Sequence, residues 1–370
     1  MENSFGSIEV RKEVLQDFCV SLLMRAGVPQ SDAELFVDNL IFSELRGVKS
    51  HGIARLPVYI KRILSGLMNP KTEIKEVSSK GAVLLVDANN GLAPVVGCWS
   101  MDKCVELARI YGVGVVGVRN SNHLGGLAYY VIRAVKAGMI GFATSNTAPA
   151  MAPWGGTKPL FGTNPIAIGI PAKNEYPIVL DMATSVVARG RIRLAALKGE
   201  KIPLGWAIDE KGQPTDDPVK ALKGSLLPVG GPKGYGLALI IDLLSGLMTG
   251  SAFLDEVGEN SDFTKPTRIG HLFMALDPSV FVPGDFEALV DDYIRRVKSS
   301  PSREGERIFM PGEIEFLKSA ENEGKDILLG GEVLKEIKEV CEKLSVSEYF
   351  ERLLSERKRH ESYGSLPQED

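Results

Sequence analysis

An α/β fold of a kind other than the Rossmann fold is predicted from three features of this 370-residue chain. Short β-branched runs alternate with helical stretches between Ala82 and about Leu276, which is the texture of an α/β core. The segments on either side of that core are helical in period. The one match to the dinucleotide fingerprint, Gly112-Val-Gly114-Val-Val-Gly117, follows a helix and is itself the strand, whereas a Rossmann unit places its glycines after the strand, opening a helix. No acidic residue stands at the end of a second strand about 20 residues on, so these glycines read as close-packing positions.

Taken in order, the elements begin with a helical region from Val10 to about Leu67. Apolar residues recur there at three and four (Val14, Leu15, Phe18, Leu22, then Leu35, Phe36, Leu40), with Gly27-Val-Pro29 as punctuation, and three helices are expected. The runs AVLLVDA, VGVVGVRN, MIGFATSN, PIAIGIPA and YPIVLDMA read as strands, and MDKCVELARIYG and LAYYVIRAVKAG as helices between them. Beyond Phe281 the chain turns helical and charged, ending in a solvated last helix and a tail. This division gives a helical domain at 1–75, an α/β region at 76–315 and a C-terminal helical segment at 316–370.

Composition narrows the function classes. The formal net charge of −4 is spread over both signs with no basic stripe, which argues against a nucleic-acid partner. Cys19, Cys98, Cys104 and Cys341 are scattered without metal-ligand or redox spacing and read as buried thiols of a reducing compartment. The N-terminal residues carry no apolar run with a cleavage site, so neither a signal peptide nor a membrane anchor is expected, and the cytoplasm is the expected location. There is no HExxH or carboxylate cluster for a metal.

Five segments carry chemistry. Gly230-Gly231-Pro232-Lys233-Gly234-Tyr235-Gly236 precedes an apolar helix, offering backbone N–H groups, a positive dipole end and the Lys233 charge to a phosphate. A tight turn that merely packs closely would use the same glycines. In Ser50-His51-Gly52-Ile53-Ala54-Arg55, Ser50 could cap a helix, placing His51 at its positive end and Arg55 one turn later on the same face. That is a proton shuttle beside a carboxylate clamp, with Arg46 an alternative cation. Pro57 complicates this helix and is expected to delay its regular part until after Leu56. The alternative is a capping serine beside a surface histidine and arginine. A second histidine, His123, lies in Arg119-Asn120-Ser121-Asn122-His123, a polar knot at a strand-to-helix corner. His271, opening an apolar strand, and His360, in the charged tail, are weaker candidates. Thr163-Asn164 and Asp181-Met182-Ala183 sit at strand ends, where α/β proteins place ligands.

The segments SELRGVKSHGIARLPVYIKRI, VRNSNHLGG, GTNPIAIGIPA, VLDMATSVVARGRI, IPLGWAIDEKGQPTDDP and LLPVGGPKGYGLALIIDLLSGLMTGS, in this order, resemble the malate/L-lactate/sulfolactate dehydrogenase family, which is unrelated to the Rossmann lactate and malate dehydrogenases. The resemblance is dense from Ser43 to Gly250 and thinner beyond Leu276. Arg191 departs slightly, standing where lysine is commoner. The resemblance implies a mainly antiparallel mixed sheet and a homodimer or larger homo-oligomer. It implies NAD or NADP held by Asp181, Met182, Ala183, Pro232, Lys233, Gly234 and the Pro311-Gly312-Glu313 turn. It also puts His51 at the position treated as proton donor in some members and His123 at one treated as proton acceptor in others.

On both grounds the expectation is a dehydrogenase moving a hydride between NAD(P) and a small 2-hydroxy or 2-oxo acid, malate first. His51 is the expected acid–base group with His123 second, and Arg55 the carboxylate clamp. Arg46, Ser50, Asn122, Thr163 and Asn164 complete the expected substrate contacts. Lactate, sulfolactate, ureidoglycolate and cyclic imine acids are alternative substrates. A nucleotide-binding protein without chemistry and a metal-dependent hydrolase using His51 and His123 are rivals of other classes.

Overall fold

A computed structural model describes residues 6–363, with side chains described through residue 356. Its elements run β1 (Ile8–Val10), α1 (Lys12–Arg25), α2 (Gln30–Leu45), α3 (Leu56–Leu64), β2 (Lys75–Lys80), β3 (Val83–Asp87), α4 (Ala93–Tyr111), β4 (Val113–Ser121) and α5 (Ala128–Lys136). There follow β5 (Ile140–Ser145), β6 (Ile166–Ile170), β7 (Ile178–Met182), α6 (Arg189–Lys198), β8 (Ala207–Ile208), α7 (Pro218–Lys223), β9 (Ser225–Leu226), α8 (Pro232–Asp242) and β10 (Ile269–Leu276). The last elements are α9 (Phe286–Lys298), α10 (Glu313–Asn322), β11 (Ile327–Leu329), α11 (Gly331–Lys343) and α12 (Ser347–Tyr363). The chain divides into two compact units, one of Met1–Lys71 with Glu315–Asp370 and one of Thr72–Ile314. The C-terminal segment, set apart from the N-terminal helices in the sequence-based division, thus shares a unit with them.

In the smaller unit α1 ends at Ala26, Gly27 takes a positive φ of 92°, and Pro29 starts α2. Helices α1 and α2 pack together, and of the residues picked out by periodicity Leu15, Phe18, Leu22, Phe36 and Leu40 are buried while Val14 and Leu35 are half-buried. Helix α3 becomes regular at Leu56 with Pro57 in its first turn, where a missing N–H costs nothing. Its buried face, Tyr59, Ile60 and Ile63, includes an edge-to-face contact of Tyr59 with Phe36 at 5.0 Å. Strand β1 pairs antiparallel with β11, Ile8 opposite Leu329.

The larger unit is built on a seven-stranded sheet of order β2-β3-β4-β10-β5-β6-β7. Only β3 and β4 are parallel, joined by the crossover helix α4, and every other neighbouring pair is antiparallel. The sheet is therefore mixed and mainly antiparallel. Of the fingerprint glycines, Gly114 and Gly117 lie on β4 while Gly112 is the left-handed C-cap of α4, and a Cβ at Gly114 would come within 2.1 Å of the Cys104 carbonyl of α4. Glycine at that position lets helix and strand close up. Strand β2 is an edge strand exposed at every residue, so its sequence KEVSSK shows no apolar face to read. All four cysteines are buried and free, and among the described residues no helix is long and apolar enough to cross a membrane.

Candidate functional site

The SHGIAR segment does not open an α-helix. Lys49–His51 and Ile53–Arg55 are two single 3-10 turns broken at Gly52, and neither has a side-chain cap. Ser50 therefore does not act as the expected N-cap; its hydroxyl lies 3.0 Å from His51 Nδ1. The expectation of a positive helix end at His51 fails with the helix, but the charged imidazole is disfavoured by another route. His51 is half-buried, and loss of hydration, with the Arg55 charge beside it, brings its pKa from 6.5 down to about 4. At neutral pH the imidazole is uncharged and able to take a proton.

Arg55 donates from Nε to the Ser50 carbonyl at 2.8 Å, which closes the turn and brings the guanidinium next to the histidine. The turn is held from beneath by Glu44, which sequence reasoning did not single out. Glu44 is buried at the end of α2 and its Oε1 accepts the Ile53 N–H at 2.8 Å. Burial raises the Glu44 pKa, with the Ile53 N–H and Lys49 opposing. A Cβ at Gly52 would lie 2.2 Å from that carboxylate oxygen, so the glycine of the motif makes room for the glutamate. Arg46 is 4% exposed, its guanidinium 5.0 Å from the Phe42 ring centroid and 4.4 Å from that of Phe316. Stacking between two rings is its observed setting, in place of the expected open clamp.

In the larger unit, His123 follows the end of β4, where Asn120 takes a positive φ of 53°. The Gly125 N–H donates to His123 Nδ1 at 3.2 Å, so the neutral ring carries its proton on Nε2. Asn122, expected at the substrate, is fully buried. Its amide nitrogen donates to Asn90 O at 3.1 Å and Gly91 O at 2.9 Å, and Oδ1 accepts from Thr267 Oγ1 at 2.9 Å. Asn120 donates to Asp87 at 2.8 Å, and Arg119 ion-pairs with the same carboxylate at 2.9 Å. Burial acts to raise the Asp87 pKa, but the Asn89 N–H, Asn120 and Arg119 outweigh it and hold the group below its usual range. The knot is a clamped corner that presents His123.

Four motifs far apart in sequence come together near the β6–β7 edge of the sheet. Thr163 O accepts both the N–H and the hydroxyl of Thr184 at 2.9 Å. The Val186 N–H donates to Leu227 O and the Val229 N–H to Thr184 O, each at 2.9 Å, which lays the segment after Asp181-Met182-Ala183 beside the glycine–lysine loop. The Val179 N–H donates to Pro311 O at 2.9 Å and brings in the Pro311-Gly312-Glu313 turn. Asn164 is fully buried in this arrangement, accepting from the Thr147 N–H at 3.0 Å and donating to Ala238 O of α8 at 2.9 Å, so it is a tie rather than an open contact.

Helix α8 begins at Pro232, putting exposed Lys233 in its first turn and Gly234 inside it. Gly230 and Gly231 both take positive φ, and the helix start has no side-chain cap. A helix end of this kind, with a lysine in its first turn, suits a phosphate anion. A Cβ on Gly234 would meet Val229 O at 2.1 Å, so the loop folds tightly over its own helix. Asp181 is exposed and accepts the Ala128 N–H of α5 at 2.8 Å. Glu313 is buried, holding the Met310 N–H at 3.0 Å, Lys298 at 3.0 Å and Arg307 at 2.8 Å. Its burial favours the neutral form, but these three partners win and keep its pKa low. What the turn offers a cofactor is main chain, at Gly312 with its φ of 83°.

A family-wide sequence profile described as malate/L-lactate dehydrogenase matches residues 10–338. The L-sulfolactate dehydrogenase of Methanocaldococcus jannaschii is 41% identical over 336 residues, 90% of this chain and 96% of that protein. The malate dehydrogenase of Pyrococcus abyssi is 39% identical over 92% of this chain and 96% of its own length. The solved structure of the Methanocaldococcus jannaschii sulfolactate dehydrogenase superposes with a TM-score of 0.86 at 39% identity, covering 92% of this chain and 98% of that one. On these matches the chain belongs to the malate/L-lactate dehydrogenase family, whose named members act on 2-hydroxy acids.

Proposed function

We propose that this 2-hydroxyacid dehydrogenase acts on acids with a second anionic group beyond the reacting carbon, malate foremost, and that His51 handles the hydroxyl proton. The observation that carries the proton role is one short turn holding an uncharged imidazole and a guanidinium side by side; the preference for a second anionic group is supported by relatives named for malate and sulfolactate. Oxidation of a 2-hydroxy acid needs a base for the hydroxyl proton and a cation for the carboxylate. His51 can accept the proton because burial and Arg55 keep it neutral. Arg55 spends Nε on Ser50, which leaves its two terminal nitrogens for an end-on grip of a carboxylate.

A nicotinamide dinucleotide, when bound, supplies the carbon that accepts the hydride. The uncapped start of α8, with Lys233, is assigned to its phosphates, and the strand end Asp181–Ala183 and the Gly312 main chain to contacts along the rest of it. His123 is the second proton-transfer candidate, its Nε2–H placed as a donor by the Gly125 contact. Sulfolactate is the second substrate reading, favoured by the 41% identical relative of that name. A homodimer or larger homo-oligomer is part of the proposal, supported by exposed Ile240, Leu243 and Leu247 spaced along one face of α8 and the turn continuing it. Light scattering in solution tests that assembly.

The activity is tested by following nicotinamide absorbance with NAD or NADP and a panel of malate, sulfolactate, lactate, ureidoglycolate and a cyclic imine acid. Turnover of malate or sulfolactate well above the others is expected. Cofactor binding with no turnover of any member would leave a nucleotide-binding protein without chemistry, and loss of turnover on chelation would point to a metal enzyme.

A further inference from the structure

Residues 150–161 carry a tryptophan, Trp154, that the reaction just described does not use. Their ends are tied down: the Ala150 N–H donates to Phe161 O at 2.7 Å, the Leu226 N–H to Ala150 O at 2.9 Å and the Ala152 N–H to the Ser225 hydroxyl at 2.6 Å. Met151 bridges antiparallel to Phe161 and parallel to Leu226 of β9. The Phe161 ring stands edge-on to that of Tyr235 in the first turn of α8, centroids 5.6 Å apart. The base of this loop is therefore built onto β9, which leads into the glycine–lysine loop, and onto the helix that leaves it.

At the tip the same neighbour is met again. A Cβ at Gly231 would lie 3.2 Å from Trp154 Cη2 and 3.4 Å from Cζ3, so the six-membered ring of the indole lies against the residue just before α8. Gly231 has a φ of 64°, and the helix start that follows it has no side-chain cap. Despite this contact Trp154 is 55% exposed. A ring that served only to prop Gly231 would gain by being covered, since an aromatic side chain contributes most when its area is buried. An anchored ring left half in water at the rim of an anion site has the form of a binding surface, because ligand pockets are lined by aromatic side chains with a few placed polar groups. A nicotinamide dinucleotide suits both parts: each of its flat rings stands one ribose away from the pyrophosphate.

We propose that Trp154 is a stacking platform for one flat ring of the dinucleotide whose phosphates meet the start of α8. The anchored loop sets the indole beside the phosphates, and the ring lies on its open face. Trp154 takes no part in proton or hydride transfer. The proposal rests on the reading of the α8 start, with Lys233, as the phosphate site.

The test is calorimetric titration of the full chain with NADH, NADPH, ADP, nicotinamide mononucleotide and inorganic pyrophosphate, in wild type, Trp154→Ala, Trp154→Phe and Lys233→Ala. Trp154→Ala is expected to weaken dinucleotide binding by about tenfold, the worth of stacking one base on an aromatic ring, while Trp154→Phe stays within about threefold of wild type. The loss should recur with ADP if the stacked ring is adenine, and with the mononucleotide if it is nicotinamide. Pyrophosphate has no ring, so its affinity should hold in Trp154→Ala and fall in Lys233→Ala. Unchanged dinucleotide affinity in Trp154→Ala beside a loss in Lys233→Ala would overturn the platform and leave the phosphate site standing. Pyrophosphate weakened as much as the dinucleotide in Trp154→Ala would also overturn it, by making the indole a prop for Gly231. So would a drop in mass by light scattering in Trp154→Ala, which would make the indole a contact between subunits. Unchanged binding in Lys233→Ala beside a loss of dinucleotide affinity alone in Trp154→Ala would uphold the stacking and move the phosphates off the start of α8.

Discussion

The two histidine neighbourhoods are built in opposite ways. Around His51 the contacts are local: Ser50 is the adjacent residue, Arg55 reaches back five residues to Ser50, and Glu44 reaches forward nine to Ile53. At His123 the ring's own contact with Gly125 is local, but the corner that carries it is clamped remotely, with separations of 31 residues from Asn122 to Gly91, 131 from Asn120 to Ser251 and 145 from Asn122 to Thr267. A turn closed by its own neighbours can be read from a short string of residues. A corner clamped by three other segments can be seen only as a cluster of polar residues needing partners. The electrostatics differ too, since His51 has a cation beside it and His123 has an N–H donor on Nδ1.

The largest expected effect breaks the comparison outright. His51→Ala should lower kcat by on the order of 10² to 10⁴ with a much smaller change in KM, because a proton-transfer group acts in the transition state. Near-normal turnover in His51→Ala together with loss in His123→Ala would exchange the two roles. Next in size is Arg55→Lys, which keeps the charge and loses the planar grip. Catalytic efficiency should fall by about 10- to 100-fold for every acid turned over, the worth of a charge-assisted hydrogen bond. The ratio of malate to lactate efficiencies, where both react, should stay constant. A selective loss of malate would move Arg55 to the distal anion.

Smaller again is Lys233→Ala. Removing one point charge from the start of α8 should weaken cofactor binding by about tenfold while hydride transfer in the bound complex changes little. An unchanged cofactor dissociation constant, measured by fluorescence titration, would return the loop to a packing role. The smallest effect concerns acid stability. His51 and His271 have folded-state pKa values of about 4 and about 3, below the ordinary 6.5, so between those values the unfolded chain binds more protons. Their stabilising contribution is full above about pH 6.5 and is lost as the pH falls toward 4, by up to about 1.4 kcal/mol per pH unit for each linked proton. Urea unfolding at pH 7 and pH 5 should show the drop, shallower in His271→Gln than in wild type. A slope unaffected by that substitution would mean that His271 protonates in the folded state.

Much of the fold was legible because alternation and period survive in segments with one buried face, as in β3, β4, β5, β6 and β7 and the helices around them. What was hidden had no such face or was too short: β2 is exposed throughout, β8 and β9 span two residues each, and β11 spans three. The placement of three candidates was legible in position: His51 and Arg55 lie together in one short turn and Lys233 stands in the first turn of α8. It misled at Ser50, because the chain folds over the Glu44 carboxylate at Gly52 instead of entering a helix. Asn122 and Asn164 were picked as polar residues at strand ends and Glu313 through the family resemblance, but their side chains satisfy buried backbone and charge. Glu44 and His271 left no signal, since an acidic residue on a helix and a histidine in a strand look ordinary until burial is known. The side chain of His360 lies outside the described residues.

The choice between the two histidines is tested most directly by the pH dependence of kcat/KM for malate oxidation between pH 8 and pH 5. A base with a pKa of about 4 stays deprotonated throughout this range, so the profile should remain level in wild type and lie uniformly lower in His51→Ala. A fall centred near pH 6.5 in wild type that vanishes in His123→Ala would contradict the assignment and make His123 the base.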